Sequence, residues 1–439
     1  VSAIEASRSR PAAHTYTRWA SASSHASRSP DDAPGGDTAW LREVNAVQRI
    51  LAIAAAALVL ALQCPVAGAQ SAGDDLRAQF NAIIDGLNEN TFKPFHAAID
   101  NDEFLNRIVG TRVIDRDARQ YMATDFDAKI EASFVDAFPR PRTEDEALGE
   151  IIGTVVSFEE SGGRARALVR FEGKGYRFSY HAYDVVRGRG GRVKIVDWYD
   201  FYNGARFSEI IGDALVKLMP TQQAVASVLE LPNPTGGQLF QVGELLKSAR
   251  DRNPQRYFDI IDNMDEVLRE EPFIVAMNFQ WCRLLQDPGR LQAAVGDLER
   301  LFPEDPRFSL SLAEYYVPRG RFEEAIEQFE VLQEALGVKD GVVESLKATA
   351  AMALGDFERA ETFAASATRV EPSLELGWWT LLRVRTAAQD YEGAIEPLTA
   401  LEDRFGHLLI PQKLRRDRFL KVLIDQPAYQ EWRAAQDGG

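Results

Sequence analysis

Cysteine is nearly missing from this 439-residue chain, which has two, Cys64 and Cys282. So few cannot supply a disulfide framework or a paired Cys-x-x-Cys metal or redox site. Histidine is scarce as well, and beyond the first 70 residues His96, His181 and His407 stand too far apart in sequence to suggest a metal site. There is no glycine-rich phosphate loop, no His-x-x-x-His pair and no nucleophile-elbow serine, so no catalytic residue, metal or cofactor is expected. Positive charge is in deficit. Fifty Lys and Arg face 66 Asp and Glu, and a net charge of −16 repels nucleic acid and anionic membranes. What the chain does have is apolar content, 45% against 26% charged, the composition of a globular protein with a sizeable core.

Residues 1–43 are rich in Ser, Ala, Arg, Pro and Gly and show no period, a composition that builds no core. They read as disordered and as an over-extended start, with the product beginning near Val44 or Val47. Arg42 and Arg49 then precede the apolar run Ile50 to Leu62, and Ala67-Gly68-Ala69 follows. A basic flank, a short apolar core and a small-x-small site predict a signal peptide over 44–69, cut after Ala69. The run falls short of the roughly 20 residues that span a bilayer, although an uncleaved anchor is the alternative. Gln63 sits where a lipid-modified Cys64 would want a small residue. The mature chain is expected to be periplasmic or secreted, without a stable membrane span. Cys64 leaves with the signal, and Cys282 reads as a buried, inert thiol.

From 70 to 220 the pattern is α+β. Leu76, Phe80, Ile83, Ile84 and Leu87 recur on one face of a helix, and weaker helical patterns follow over 104–108 and 118–138. After Pro139-Arg140-Pro141 the period falls to two, predicting strands over 151–158, 165–171, 176–182 and 192–202. Alternation implies a four-stranded antiparallel sheet with one covered face, under the leading helices. On this pattern His181 belongs to the arginine-bearing, solvent side of its strand, and an amphipathic helix over 207–218 closes the domain. Gly191-Arg192-Val193-Lys194-Ile195-Val196-Asp197-Trp198 resembles the last-strand motif of NTF2-like proteins and is similar to periplasmic phospholipid-binding proteins. That resemblance implies a half-cone able to hold a lipid, or an enzyme using Asp197, His181 or Tyr180. Asp197 shares parity with Val193 and Ile195, so it points inward, as a raised-pKa base or as a partner for a tyrosine or backbone amide.

A turn-rich linker, Pro232-Asn233-Pro234-Thr235-Gly236-Gly237, ends the stretch 221–237. Beyond it Gly320-Arg321-Phe322-Glu323-Glu324-Ala325 recurs as Gly355-Asp356-Phe357-Glu358-Arg359-Ala360 and as Gln389-Asp390-Tyr391-Glu392-Gly393-Ala394, with Gly289-Arg290-Leu291-Gln292-Ala293-Ala294 as a weaker copy. The closing alanines of the three strong copies are 35 and 34 residues apart. Such a period marks stacked helical hairpins, each unable to bury its apolar face alone. These residues resemble the tetratricopeptide repeat (TPR) over roughly 273–406, within helical repeats that span 238–406. Residues 407–439 cap the array, and the basic cluster Lys413, Arg415, Arg416, Arg418 and Lys421 reads as its polar outer face. The chain is thus an α+β domain followed by an all-α superhelix, mostly α overall.

The resemblance implies a concave face carrying Phe279, Arg283, Arg307, Leu310, Glu314, Ser345, Thr349, Met352, Trp379 and Arg383. Paired hydrogen bonds from arginine and aromatic anchors suit an extended peptide or acidic protein segment. The alternative is that several of these residues pack against the amino-terminal domain. Three functions follow: an exported scaffold or adaptor that is not an enzyme, a carrier of lipid or another apolar ligand, and an NTF2-like enzyme. Amino-terminal sequencing of the exported protein is expected to start at Gln70, whereas a chain retaining Ile50–Leu62 would establish the anchor instead.

Overall fold

The computed structural model describes residues 75–89, 91–113, 116–124, 152–173, 177–285 and 287–437. The expected signal peptide, its cleavage site, the stretch 1–43 expected to be disordered, the rest of the expected 118–138 helix and the Pro139–Pro141 break lie outside the described residues.

Four helices lead: α1 (Leu76–Asn88), α2 (Lys93–Ala98), α3 (Asn101–Thr111) and α4 (Arg116–Ala123). Asp75 and Asp100 cap α1 and α3, each accepting an otherwise orphaned backbone N–H. The periodic residues Leu76, Phe80, Ile83, Ile84 and Leu87 are all buried. Five antiparallel strands follow in sequential order: β1 (Ile152–Ser161), β2 (Arg164–Gly173), β3 (Arg177–Arg187), β4 (Val193–Asp200) and β5 (Ala205–Arg206). The expectation was four. The fifth is two residues long, pairing Ala205 and Arg206 with Asp200 and Tyr199, too short to carry a period. Gly162 and Gly163 both hold positive φ, 61° and 77°, the backbone of a two-residue hairpin turn that matches strand twist.

Helices α5 (Phe207–Leu218) and α6 (Gln222–Ala226) lead into the array: α7 (Gly236–Arg250), α8 (Pro254–Asp262), α9 (Glu266–Arg269), α10 (Pro272–Leu285), α11 (Pro288–Leu301), α12 (Pro306–Tyr316), α13 (Phe322–Leu336), α14 (Gly341–Leu354), α15 (Phe357–Val370), α16 (Glu375–Ala387) and α17 (Ile395–Phe405). It closes with α18 (Pro411–Leu414), a 3-10 turn at Leu420–Asp425 and α19 (Pro427–Asp437). Gly320, Gly355 and Gln389, equivalent in the repeat, share left-handed φ of 74°, 80° and 64°. A helix can reverse tightly there because the αL residue satisfies its last carbonyls. The alanines that close the copies, Ala325, Ala360 and Ala394, are fully buried. Ala325 and Ala360 lie in the first turn of their helices, while Ala394 precedes α17, whose start Gly393 delays. In the weaker copy Gly289 is already inside α11, behind its cap Asp287.

The sheet is covered on both faces, not one. Ala165, Ala167, Val169, Phe171, Tyr183, Val185 and Trp198 pack with α1–α3. Leu168, Phe178, Tyr180 and Ala182, on the other face, join a core containing Val242, Leu310, Val342 and Val343 of the array. His181 therefore faces the leading helices and is 1% exposed, rather than in solvent. The alternation was read correctly, but in β3 the face assigned to water is the one the helices cover, and the array covers the other.

Across that second interface lies a buried ionic cluster. Arg170 of β2 is 1% exposed and donates from Nη1 to Asp340 Oδ2 at 2.5 Å, from Nη2 to Glu371 Oε1 at 2.8 Å and from Nε to Glu172 Oε1 at 2.7 Å. Tyr180 Oη donates to Asp340 Oδ1 at 2.6 Å, and Asp340 also caps α14. Burial alone would lower the Arg170 pKa, but the bond to Glu371 and the charge of Asp340 outweigh it and raise it. Arg170→Ala strands the buried Asp340 carboxylate and is expected to cost ~3–5 kcal/mol by urea denaturation. A loss below about 1 kcal/mol, the worth of an exposed pair, would refute this account of the interface.

Candidate functional site

The sheet domain accounts for much of the expected concave surface. Phe279 and Leu310, each 1% exposed, belong to the core shared with the sheet, and Met352 is buried with Ile326, Ala348 and Leu381 inside the array. Arg283 donates to Tyr202 Oη at 2.5 Å and to Ser311 Oγ at 2.9 Å, its guanidinium 4.7 Å from the Tyr202 ring centre. Arg307 pairs with Asp305 at 2.6 Å, and its backbone lies so close to Gly204 (φ 66°) that a Cβ there would collide with it. Ser345 and Thr349 donate to carbonyls of their own helix, and Glu314 is exposed.

Trp379 and Arg383 are placed differently. They line a cleft of about 560 Å³ between α16, the segment after α17, and the end of β2 at Glu172. Its apolar lining is Leu374, Leu376, Leu408, Leu409, Leu414 and Leu420. The two residues sit one turn apart on α16, so both project toward the cleft. Glu375, one turn earlier, accepts from the Trp379 indole Nε1 at 2.8 Å, and His407 Nε2 lies 2.7 Å from the same oxygen. The His407 ring meets Trp379 edge-on at 5.3 Å. Arg383 Nε donates to Asp417 Oδ2 at 2.8 Å, with its guanidinium 5.8 Å from the Trp379 ring centre. This arrangement presents an aromatic face with its indole fixed, an apolar floor and a charged rim, chemistry suited to gripping a side chain rather than transforming one.

Sequence reasoning found Trp379 and Arg383, passed over Glu375, weighed His407 only as a metal ligand, and read Lys413 and Arg416 as part of the polar cap of the array. The i, i+4 spacing of Glu375 and Trp379 was an available signal. The approach of His407 was not, because it depends on how the chain returns after Gly406.

The residues considered for catalysis are otherwise engaged. Asp197 is fully buried; its Oδ1 accepts from the backbone of Trp198 (2.9 Å) and Ser208 (3.2 Å), and its Oδ2 from Ser208 Oγ (2.8 Å). Burial raises its pKa, opposed by the Ser208 bonds. These contacts tie β4 to the first turn of α5. Tyr180 points to the array and Asp340, on the opposite face from His181. Burial pushes the Tyr180 pKa well up and lowers that of His181, the latter against the pull of Asp200. His181 Nδ1 lies 3.1 Å from Tyr183 Oη.

No protein-family model matches the chain, and no curated protein matches it. Among solved structures, a crystal structure of PilW, described as a widely conserved type IV pilus biogenesis factor, aligns over 47% of this chain and 94% of that chain, with 12% identity and a TM-score of 0.29. At that score the likeness carries no argument about what this chain does.

His181 sets a pH dependence. Its folded pKa lies below the unfolded 6.5, so its contribution is complete at higher pH. As pH falls through 6.5 the unfolded chain takes the proton first, and stability declines by up to ~1.4 kcal/mol per pH unit. Urea midpoints between pH 7 and 5 are expected to fall less in His181→Leu than in the wild type. Equal declines would rule out the buried neutral imidazole as their source.

Proposed function

We propose that this chain is an exported helical-repeat scaffold of the TPR type, which holds a protein or peptide partner at the cleft around Trp379. The observation that carries the reading is the division of the groove. Its amino-terminal half is filled by the chain's own sheet domain, while Trp379 and Arg383 remain on an open, apolar-floored surface. Helical arrays of this type bind extended segments along their inner helices, and aromatic and arginine anchors dominate such contacts. The mostly helical architecture and the three equivalent left-handed turns support the repeat assignment. No helix among the described residues is long and apolar enough to cross a membrane.

The amino-terminal domain, in this reading, is a half-cone of NTF2-like type used as a filler and clamp for the array, not as an enzyme. Its inner volume supports that role over the carrier alternative. Trp198 stacks on Phe207 at 4.1 Å and meets Phe104 at 5.6 Å and Phe95 at 5.9 Å, and Tyr183 meets Phe80 at 5.5 Å. Among the described residues these rings occupy the space an apolar ligand would need. Asp197 spends its lone pairs on a helix start, which supports a structural role over a general base.

Leu408, 48% exposed on the cleft wall, is suited to a photo-crosslinker. With p-benzoylphenylalanine in its place, irradiation in cells is expected to give a discrete protein adduct that Trp379→Ala abolishes. No adduct, or one indifferent to Trp379→Ala, would remove the cleft from the function.

A further inference from the structure

The acids of the cleft are spent internally, and two of its cations are not. Glu172 is bound to Arg170, Glu375 to Trp379 and His407, and Asp417 to Arg383 while also accepting from the backbone of Phe419 and Leu420. Lys413 and Arg416 line the same cleft, are exposed, and enter no ion pair among the described residues. Arg415, Arg418 and Lys421 extend the cationic surface beside them, so residues 413–421 hold five cations and one acid in a chain of net charge −16.

We propose that the occupant of the cleft is an acidic extended segment of a partner protein. It lays an apolar side chain against Trp379 and the leucine floor and sets its carboxylates on Lys413 and Arg416. This rests on the scaffold reading above and names the chemistry of its partner. An exposed ion pair is worth little on its own, so the apolar anchor supplies the grip. The charges supply placement. An acidic segment is repelled by the net negative charge of this protein and drawn to the cationic surface beside the cleft. The same field discriminates against basic partners, which the remaining surface would hold without selectivity.

The test uses the full chain and a fluorescein-labelled heptapeptide with phenylalanine at its centre and aspartate and glutamate on both sides, beside a twin in which every acid is its amide. The acidic peptide is expected to bind at least ~10-fold more tightly than the twin and to weaken as salt rises. Lys413→Glu combined with Arg416→Glu, both at exposed positions, is expected to remove that advantage without moving thermal unfolding. Equal binding of the two peptides, or full affinity in the double variant, overturns the proposal. If neither peptide binds while the photo-adduct at Leu408 persists, the acidic occupant is wrong and the scaffold reading stands; if the adduct is missing too, both fall. Binding gained only after residues 144–150 (Glu-Asp-Glu-Ala-Leu-Gly-Glu) are made neutral also overturns it. The occupant would then be the chain's own acidic stretch, which runs into β1 at Ile152, the residue paired with Glu172.

Discussion

Arg170 carries a full positive charge into a place with almost no water, and the groups that balance it come from another part of the chain. It belongs to the second strand of the sheet, while Asp340 and Glu371 belong to the helical array, 170 and 201 residues further on. An uncompensated charge there would be far more costly than the pair, so the two parts must meet in one register. Tyr180 adds a second donor to the same carboxylate, and Asp340 still retains its capping bonds to Val342 and Val343. Gly341, beside it, has no room for a side chain because Glu371 and Leu374 close in on that position. The ionic contact thus fixes the position of a larger apolar interface that provides most of the adhesion.

Once the sheet is seated, the concave side of the array is divided. Tyr202 and Gly204 occupy the stretch that Arg283 and Arg307 would have offered to a ligand. What stays open is the carboxy-terminal end, where the sheet contributes only Glu172 to the rim. A repeat array normally selects its ligand along its whole inner face. Here the amino-terminal domain fills part of the inner face and leaves the cleft at Trp379 open, with a basic cap beside it.

The repeats were legible because their signals are local. A left-handed turn residue, an aromatic and a small residue at a fixed period reappear in space as Gly320, Gly355 and Gln389, each followed by a buried alanine. Strand alternation was legible for the same reason, although β1 and β3 run three and five residues past their expected ends. Which face of the sheet meets which partner was not. Period two says that two faces differ, and it cannot say that both are covered. That is why His181 was assigned to solvent. Of the cleft, Trp379 and Arg383 followed from repeat position alone. His407 and the cations after it depend on a long-range chain return that leaves no mark in the pattern.

Sheet and array are held to be one cooperative body. Hydrogen–deuterium exchange in rising urea measures this directly, through amides of β2 around Leu168–Phe171 and of α14 around Val343–Ala351. Both segments are expected to lose protection at one common urea concentration. Loss at two well-separated concentrations would contradict a shared core, and with it the account of a groove filled by its own sheet.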